Sequence, residues 1–248
     1  MSITKLKDRL KKNALNICNQ AEKQGDERKT AVLFPNLDMS FHPETYANIC
    51  SNPEYNKRLN KSHPKAKGYK EMQSSNSSDT LLMNIFAYPN TLENESLRNL
   101  LDVNKNDSIE FGWNPEFENE TRKTEIDMKI GDTIFEAKLT EADFKKKHKK
   151  IVLAYEDVEQ TLYLRNLAKG ENVLHYQLIR NLLTAKKYNF KFNLIIEASR
   201  IDLINAFNEV KSSIKDNALA SRFNFLTWQE ITEILGDDLK AYILQKYF

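Results

Sequence analysis

Two short segments with alternating polarity flank a Gly-Asp pair and bring three charged residues of this 248-residue chain together. Residues 124–130 (TEIDMKI) and 133–139 (TIFEAKL) alternate as β-strands do, and the Gly-Asp pair between them is typical of a tight hairpin turn. A two-residue turn places Asp127 directly opposite Glu136, and Lys138 shares their face because side chains alternate along a strand. The sequence therefore predicts two opposed carboxylates with a lysine beside them.

Opposed carboxylates at this spacing favour a metal site. Their Cβ atoms would lie roughly 4.5–5.5 Å apart, where like charges destabilise a strand pair. A divalent cation between the carboxylates of Asp127 and Glu136 relieves that repulsion, since hard cations prefer oxygen ligands and keep several waters. Lys138 could then hold a phosphate or orient an attacking water. This combination suits metal-assisted hydrolysis of a phosphate ester.

The opposite face of the same hairpin is apolar, as expected of a strand pair that covers a core. Glu125 joins the charged face, so a solvated hairpin with a Glu125–Lys138 ion pair is the alternative interpretation. The predicted core face consists of Ile126, Met128, Ile130, Thr133, Phe135, Ala137 and Leu139.

The pattern of Asp127, eight intervening residues and then Glu136-Ala137-Lys138 resembles the D…(D/E)xK signature of the PD-(D/E)XK, or restriction endonuclease-like, superfamily. The resemblance implies that Asp127 and Glu136 are metal ligands, that the Ala137 carbonyl is a backbone ligand and that Lys138 is the catalytic lysine. The proline that names the motif is absent, because Glu125 and Ile126 precede Asp127.

The resemblance extends over roughly residues 80–200 and implies further site residues. Members of the superfamily often add an acidic residue from the preceding helix or first strand, for which Glu110 is the first choice and Glu95 the second. A polar residue from the following helix is expected as well, with Gln177 as the candidate and Arg180 one turn further on. Ordinary surface roles are the alternative for all four.

The elements around the hairpin follow from periodicity and turn signals. An amphipathic helix over 3–24 precedes a stretch over 35–80 of loops and short helical turns. The remaining predicted elements are helices over 80–87 and 94–101, a strand over 108–113, helices over 156–168 and 171–187, a strand over 191–198, a helix over 202–215, a strand over 222–226 and a last helix opening at Thr227.

This order predicts an α/β (α+β) fold with a mixed central β-sheet of about four to five strands flanked by helices. The expected organisation is an N-terminal helical and loop region over 1–79 that packs on a nuclease-like core over 80–248. Two details concern the aromatic residues. Trp113 should share a strand face with Ile109 and Phe111, and Trp228 should be a core or interface anchor, with Thr227 opening a capping box.

Composition excludes several classes of protein. With 40% hydrophobic residues, six Gly and six Pro, the chain is neither disordered nor fibrous. No run approaches the roughly 18 apolar residues of a membrane span, and the Lys-rich start lacks the apolar core of a signal peptide. Two cysteines and four scattered histidines give no disulfide framework or zinc spacing. A cytoplasmic protein is expected.

Charge is nearly balanced, at a net +2, but it is unevenly distributed. Residues 57–70 hold six basic residues and no acid, and residues 145–150 hold five lysines around His148. Residues 116–127 are predominantly acidic. Basic blocks beside an acidic cluster suit a protein that holds a polyanion and binds cations, although a solvated surface explains each block equally well.

Together these features predict a nuclease that depends on Mg²⁺, or on Mn²⁺, and hydrolyses phosphodiesters, most simply a restriction-type endonuclease on double-stranded DNA. One catalytic core per chain favours a homodimer for cutting both strands. A non-cleaving nucleic-acid-binding or assembly module on the same fold is the alternative. An unrelated α/β interaction protein with a chance motif is the third interpretation.

Overall fold

A mixed five-stranded sheet forms the centre of the protein in a computed structural model that describes residues 2–115 and 125–248. The strands in chain order are β1 (Ile109–Trp113), β2 (Ile126–Ile130), β3 (Thr133–Lys138), β4 (Lys191–Ile196) and β5 (Phe223–Thr227). Their order in the sheet is β5-β4-β3-β2-β1, with β5, β4 and β3 parallel and β3, β2 and β1 antiparallel. The predicted fold class and strand number are confirmed.

The hairpin between β2 and β3 has the predicted register. Ile130 pairs with Thr133 and Met128 with Phe135, around a turn in which Gly131 adopts a φ of 55°. That positive φ is open to glycine at no steric cost. The regular pairing stops at Met128–Phe135, one residue before Asp127.

Helices cover both faces of the sheet. Their bounds are α1 (Ile3–Gln20), α2 (Pro43–Ser51), α3 (Pro53–Leu59), α4 (Ser78–Phe86), α5 (Glu95–Leu101), α6 (Lys149–Val152), α7 (Val158–Thr161), α8 (Tyr176–Tyr188), α9 (Ile201–Ser212), α10 (Asn217–Ser221), α11 (Trp228–Glu233) and α12 (Asp237–Tyr247). Single 3₁₀ turns occur at Asp38–Ser40, Glu71–Gln73, Thr91–Glu93 and Leu164–Asn166. Short paired strands lie at Asp26–Glu27 with Val32–Leu33, and at Lys147–His148, Ala168–Lys169 and Asn172–Val173.

Local signals determine several helix ends. The Asn94 side chain caps α5 by accepting from Leu97 N, and Thr227 with Glu230 forms the expected capping box of α11. The N-terminal helix buries Leu6 and Leu10 as its spacing predicts, but it ends at Gln20, before Gly25. The predicted boundary between residues 79 and 80 lies inside α4.

The two faces of the sheet bury separate apolar cores. One core joins the predicted apolar face of the hairpin, including Met128 and Phe135, to α1, α4, α5, α11 and α12. The second core lies under α8 and α9 and includes Ile134 of β3. Because Glu136 and Lys138 alternate with Phe135 and Ala137, the charged face of β3 is the one that α8 covers. All six residues of β3 are therefore buried, in contrast to a solvated hairpin.

The prediction of a helix over 156–168 was wrong. The four-residue α7 and the 3₁₀ turn Leu164–Asn166 form there instead. Helix α7 is short because Asp157 takes a φ of 63° at its start and Leu162 is extended at its end. Leu162 instead bridges to Ile214, and Tyr163 N donates to the carbonyl of Ser213 at 2.8 Å. The apolar residues of this segment are buried in the second core without forming a regular helix.

The predicted face of Trp113 was also wrong. Gly112 has a φ of 67°, which interrupts the alternation of β1. Ile109 and Phe111 pack on the α4 side, whereas Trp113 contacts Tyr188 and Phe190 on the other side. Ile126 pairs with Trp113 across the strands and is buried in the second core, under α8 and α9. It is therefore separated from the other apolar residues of the predicted face of the hairpin, which are in the first core.

Part of the acidic run over 116–127 lies outside the described residues, namely Glu116, Glu118 and Glu120.

Of the helices in the described ranges, none is both long and apolar enough to cross a bilayer.

Candidate active site

The carboxylate of Asp127 lies where β2 and β3 separate. Its Oδ2 accepts a hydrogen bond from the backbone N–H of Ala137 at 2.8 Å, just past the last regular pair of the hairpin. The side chain therefore satisfies a backbone donor that a continuous ladder would have satisfied with a carbonyl. This bond fixes Asp127 beside the Glu136-Ala137-Lys138 segment.

Glu136 is held by three side-chain donors. Its Oε1 accepts from Lys138 Nζ at 2.7 Å and from Gln177 Nε2, and its Oε2 accepts from Asn181 Nδ2 at 3.0 Å. The residue is only 1% exposed. Because each carboxylate oxygen has two lone-pair sites, Glu136 keeps capacity for a further partner while its orientation is fixed.

Lys138 is likewise held by contacts of both its backbone and its side chain. Its backbone carbonyl accepts from Trp228 Nε1 at 2.9 Å, and its Nζ lies 6.0 Å from the centre of the Phe144 ring. Burial by itself lowers the pKa of Lys138, but the negative charges of Glu136 and Asp127, and of Glu141, raise it above its ordinary value. Lys138 is therefore a fixed positive charge at neutral pH.

Asp127 forms no ion pair within the described part of the chain, although the Lys138 charge and the Ala137 N–H favour its ionised form. Burial raises the pKa of this carboxyl well above its ordinary range, and the charges of Glu136 and Asp79 raise it further. The neighbouring cations are engaged elsewhere, since Lys138 pairs with Glu136 and Arg58 pairs with Asp79. A cation placed at Asp127 would thus remove an unfavourable interaction.

Helix α8 supplies the polar residues that face Glu136. Gln177 lies in its first turn, where its N–H donates to the Phe144 carbonyl at 3.0 Å, and Asn181 lies one turn later. Residues four apart share a helix face, so the position of Gln177 also identifies Asn181. Asn181 was not predicted from the sequence, although its spacing from Gln177 indicates a position on the same helix face. Arg180 lies between them but contacts the Tyr176 ring instead of Glu136.

Asp79 is an acidic residue of α4 that the sequence did not predict as a site residue. It lies in the first turn of α4, after the N-cap Ser77, and lines the same cleft as Asp127. Arg58 Nη2 donates to its Oδ2 at 3.0 Å. Burial raises the pKa of Asp79 despite the opposing charges of Arg58 and Lys61. The signal was available in Ser77, whose capping type starts the helix before residue 80.

The structure does not bring Glu110 or Glu95 to this place. Glu110 pairs across the strands with Lys129, two residues along β2 from Asp127, and the two side chains form a 2.8 Å ion pair. It lines a separate cleft on the other side of the edge strand. Glu95 is the first residue of α5, next to its cap Asn94. Neither contributes to the group around Asp127 and Glu136.

The residues that the structure does bring together line one open cleft of about 750 Å³. Its floor consists of Asp79, Asp127, Glu136, Ala137 and Lys138. Residues before α4 form one wall, and residues after β3 form the other. The basic residues of these walls are Arg28, Lys29, Lys61, His63 and Lys65 on the first and Lys145 on the second. Parts of both predicted basic blocks thus line the cleft. Arg28 and Lys29, which lie outside those blocks, line it as well.

These residues fit a divalent cation with a small protein ligand set. In the part of the chain that the structure describes, no three His, Cys, Asp or Glu side chains form a metal-binding group. Two carboxylates are available, and Mg²⁺ is commonly bound by one or two carboxylates, waters and substrate phosphates. The feature that favours such an ion is the buried Asp127 carboxylate, which lies beside Glu136 and has no lysine or arginine ion pair among the described residues. Ligation by the Ala137 carbonyl remains an expectation from the resemblance.

Comparison with known proteins gives one match. A family model described as "restriction endonuclease associating with ARP" matches residues 5–248, which is nearly the whole chain. No curated protein and no solved structure matches the chain. The match includes the hairpin, α8 and the residues that form both walls of the cleft. The chain therefore belongs to the family of restriction endonucleases associating with ARP.

Proposed function

We propose that this protein is a metal-dependent nuclease that hydrolyses the phosphodiester bonds of DNA. The observation that carries the proposal is the convergence of Asp127, Glu136 and Lys138 on the floor of a cleft with basic walls. Family membership supports a nuclease-related role independently. The proposal extends that membership to metal dependence and to the substrate.

Asp127 and Glu136 would hold Mg²⁺ or Mn²⁺. When bound, such an ion polarises a phosphoryl oxygen and lowers the pKa of water. The protein contributes the fixed geometry. Three donors orient the Glu136 carboxylate, and the Ala137 N–H orients that of Asp127, so neither has to reorganise when substrate arrives.

Lys138 acts as a charged group and not as a base. Its ammonium is 2.7 Å from Glu136 and is held in place by packing against Phe144. From there it can donate to a phosphate oxygen or orient the attacking water, which stabilises the negative charge that grows in the transition state.

The basic walls would hold the DNA strand across the floor. Lys29, Lys65 and Lys145 are exposed and line the cleft, the first two from the chain before α4 and Lys145 from the chain after β3. Lysines contact phosphates without reading sequence, so they position the strand. One set of catalytic residues per chain cuts one strand at a time, and we propose that a homodimer cuts a duplex.

The test is incubation of the purified protein with plasmid and phage DNA in Mg²⁺, Mn²⁺ or EDTA. We expect cleavage with either metal and none in EDTA. Discrete fragments would indicate site-specific cutting, and a smear would indicate a nonspecific nuclease. Binding without cleavage under all three conditions would contradict the proposal and favour a non-cleaving module on the same fold.

A further inference from the structure

A second charged cluster adjoins Asp127 and joins the N-terminal helices to the sheet. Arg58 on α3 reaches Asp79 of α4 at 3.0 Å through Nη2, and it reaches Glu125, which precedes β2, at 2.9 Å through Nη1. The Nζ of Lys61 lies 3.6 Å from Glu125 and 3.9 Å from Asp79. Lys61 also pairs with Glu71 at 3.0 Å, so two cations face three carboxylates, of which Asp79 and Glu125 both accept from Arg58.

Close packing fixes the position of the Arg58 guanidinium. A Cβ added at Gly112 of β1 would lie only 2.2 Å from its Nη1. The guanidinium thus packs directly on the backbone of the edge strand, and the side chain is 11% exposed. A group in such a position is built into the fold and differs from a mobile surface arginine.

Acidic residues that surround a phosphodiesterase site commonly hold two divalent cations, which stabilise the attacking and leaving oxygens. Here one oxygen of Asp79 and one of Glu125 already accept from the same guanidinium. Arginine remains protonated at all relevant pH values and its rigid fork matches two carboxylates at once. Of Asp79, Glu125 and Asp127, the one without an arginine or lysine partner among the described residues is Asp127.

We propose that Arg58, assisted by Lys61, takes the place of a second divalent cation, so that each chain binds one metal ion, at Asp127 and Glu136. Arg58 is then a positioning residue. It holds Asp79 and Glu125 in place and makes the N-terminal helical region part of the active site. The inference rests on the proposed function, because it presupposes that a metal binds.

The test counts Mn²⁺ ions bound per chain, by electron paramagnetic resonance of the free ion, without DNA or turnover. Wild type should bind one ion. Arg58→Met should bind two, the second more weakly, because Asp79 and Glu125 lose their cation. The control is Lys57→Met, on the neighbouring residue of α3, which pairs with Glu54 on the surface. It should bind one ion with wild-type affinity.

A further pair of variants separates ligation from positioning. Asp79→Asn keeps the shape of the side chain and should bind one ion with an affinity within about threefold of wild type. The double variant Arg58→Met/Asp79→Asn should return from two ions to one. If Arg58→Met does not fold, as judged by its melting curve, the wild-type count and Asp79→Asn decide the question.

Several outcomes would overturn the inference. Two ions in the wild type, or one ion in a folded Arg58→Met, would show that Arg58 does not replace a cation. A tenfold loss of affinity in Asp79→Asn would make Asp79 a metal ligand. These results leave metal-dependent cleavage intact. Absence of any bound ion in the wild type would contradict the proposed function itself, and the inference with it.

Discussion

Glu136 shows how firmly single residues of the candidate site are held. Its two oxygens accept hydrogen bonds from Lys138, two residues along the same strand, and from Gln177 and Asn181 of α8. Donors of this kind orient a metal ligand and tune its basicity. The same carboxylate therefore joins the hairpin and the helix into one rigid unit.

Lys138 is expected to act on chemistry and not on DNA binding. Lys138→Ala should bind DNA in the presence of metal at close to wild-type affinity but cleave at least about a hundredfold more slowly, a loss of about 2.7–4 kcal/mol of transition-state stabilisation. Gel-shift affinities and single-turnover rates measure the two effects. Lys129→Ala is the control, because Lys129 lies on the same hairpin but pairs with Glu110. Normal cleavage by Lys138→Ala would contradict the mechanism.

The two amides of α8 should matter through Glu136. Gln177→Ala and Asn181→Ala are each expected to weaken Mn²⁺ binding about tenfold to a hundredfold, the range for residues that orient metal ligands. Arg180→Ala should change it less than about threefold, because Arg180 faces Tyr176. Titration of Mn²⁺ distinguishes these variants. Equal affinities in all three would show that the donors to Glu136 do not prepare a metal site.

At the scale of elements, the hairpin β2–β3 determines which residues meet. Its register places Glu136 and Lys138 under α8 and the alternating apolar residues in the opposite core. Inserting one residue between Gly131 and Asp132 should abolish cleavage, since a one-residue slip moves the charged residues to the other face or forces a bulge.

A matched insertion tests whether any hairpin lengthening is harmful. One residue added after Gly170, in the short turn between Lys169 and Asn172, should leave cleavage largely unchanged, because a side chain there meets open space. Cleavage rates and melting curves of both variants give the comparison. A folded hairpin variant with near-wild-type activity would show that the register of β2 and β3 is unimportant.

The elements also show what sequence could predict. The hairpin, its turn and the helix caps are local, so periodicity and residue type were sufficient for Asp127, Glu136 and Lys138 to be placed together. Arg58 on α3 and Asp79 on α4 are 21 residues apart in the chain and come together only through tertiary packing, in which α3 also lies on β1. The same packing accompanies the positive φ of Gly112 that moves Trp113 to the other face. No local pattern encodes such contacts.

At the scale of the whole molecule, the cleft depends on segments far apart in sequence. Lys29 and Lys65 of the N-terminal region line it, and so does Lys145 from the segment that follows β3. Only Lys145 of the 145–150 run lines the cleft. The N-terminal region is thus one of the two walls between which we propose that DNA lies.

Replacing Lys29, Lys65 and Lys145 together by Ala should weaken DNA binding and reduce its dependence on salt. Each lost phosphate contact lowers the slope of log K against log salt by about 0.9 for duplex DNA. The same replacement at Lys146, Lys150 and Lys169, which are exposed outside the cleft, is the control. Gel shifts at several salt concentrations measure the slopes. Equal slopes for the two triple variants would place the DNA elsewhere.

The most direct test of metal-dependent hydrolysis at Asp127 and Glu136 is the single-turnover cleavage rate of DNA in Mg²⁺ for wild type, Asp127→Asn and Glu136→Gln. Both variants should lose cleavage. Without metal, Asp127→Asn should melt at or above the wild-type temperature, whereas Glu136→Gln should melt lower because it leaves the buried Lys138 ammonium without its carboxylate partner. Asp127→Asn removes one of two opposed charges, and the amide oxygen that it introduces can still accept from the Ala137 N–H. Cleavage at the wild-type rate by either folded variant would contradict the account.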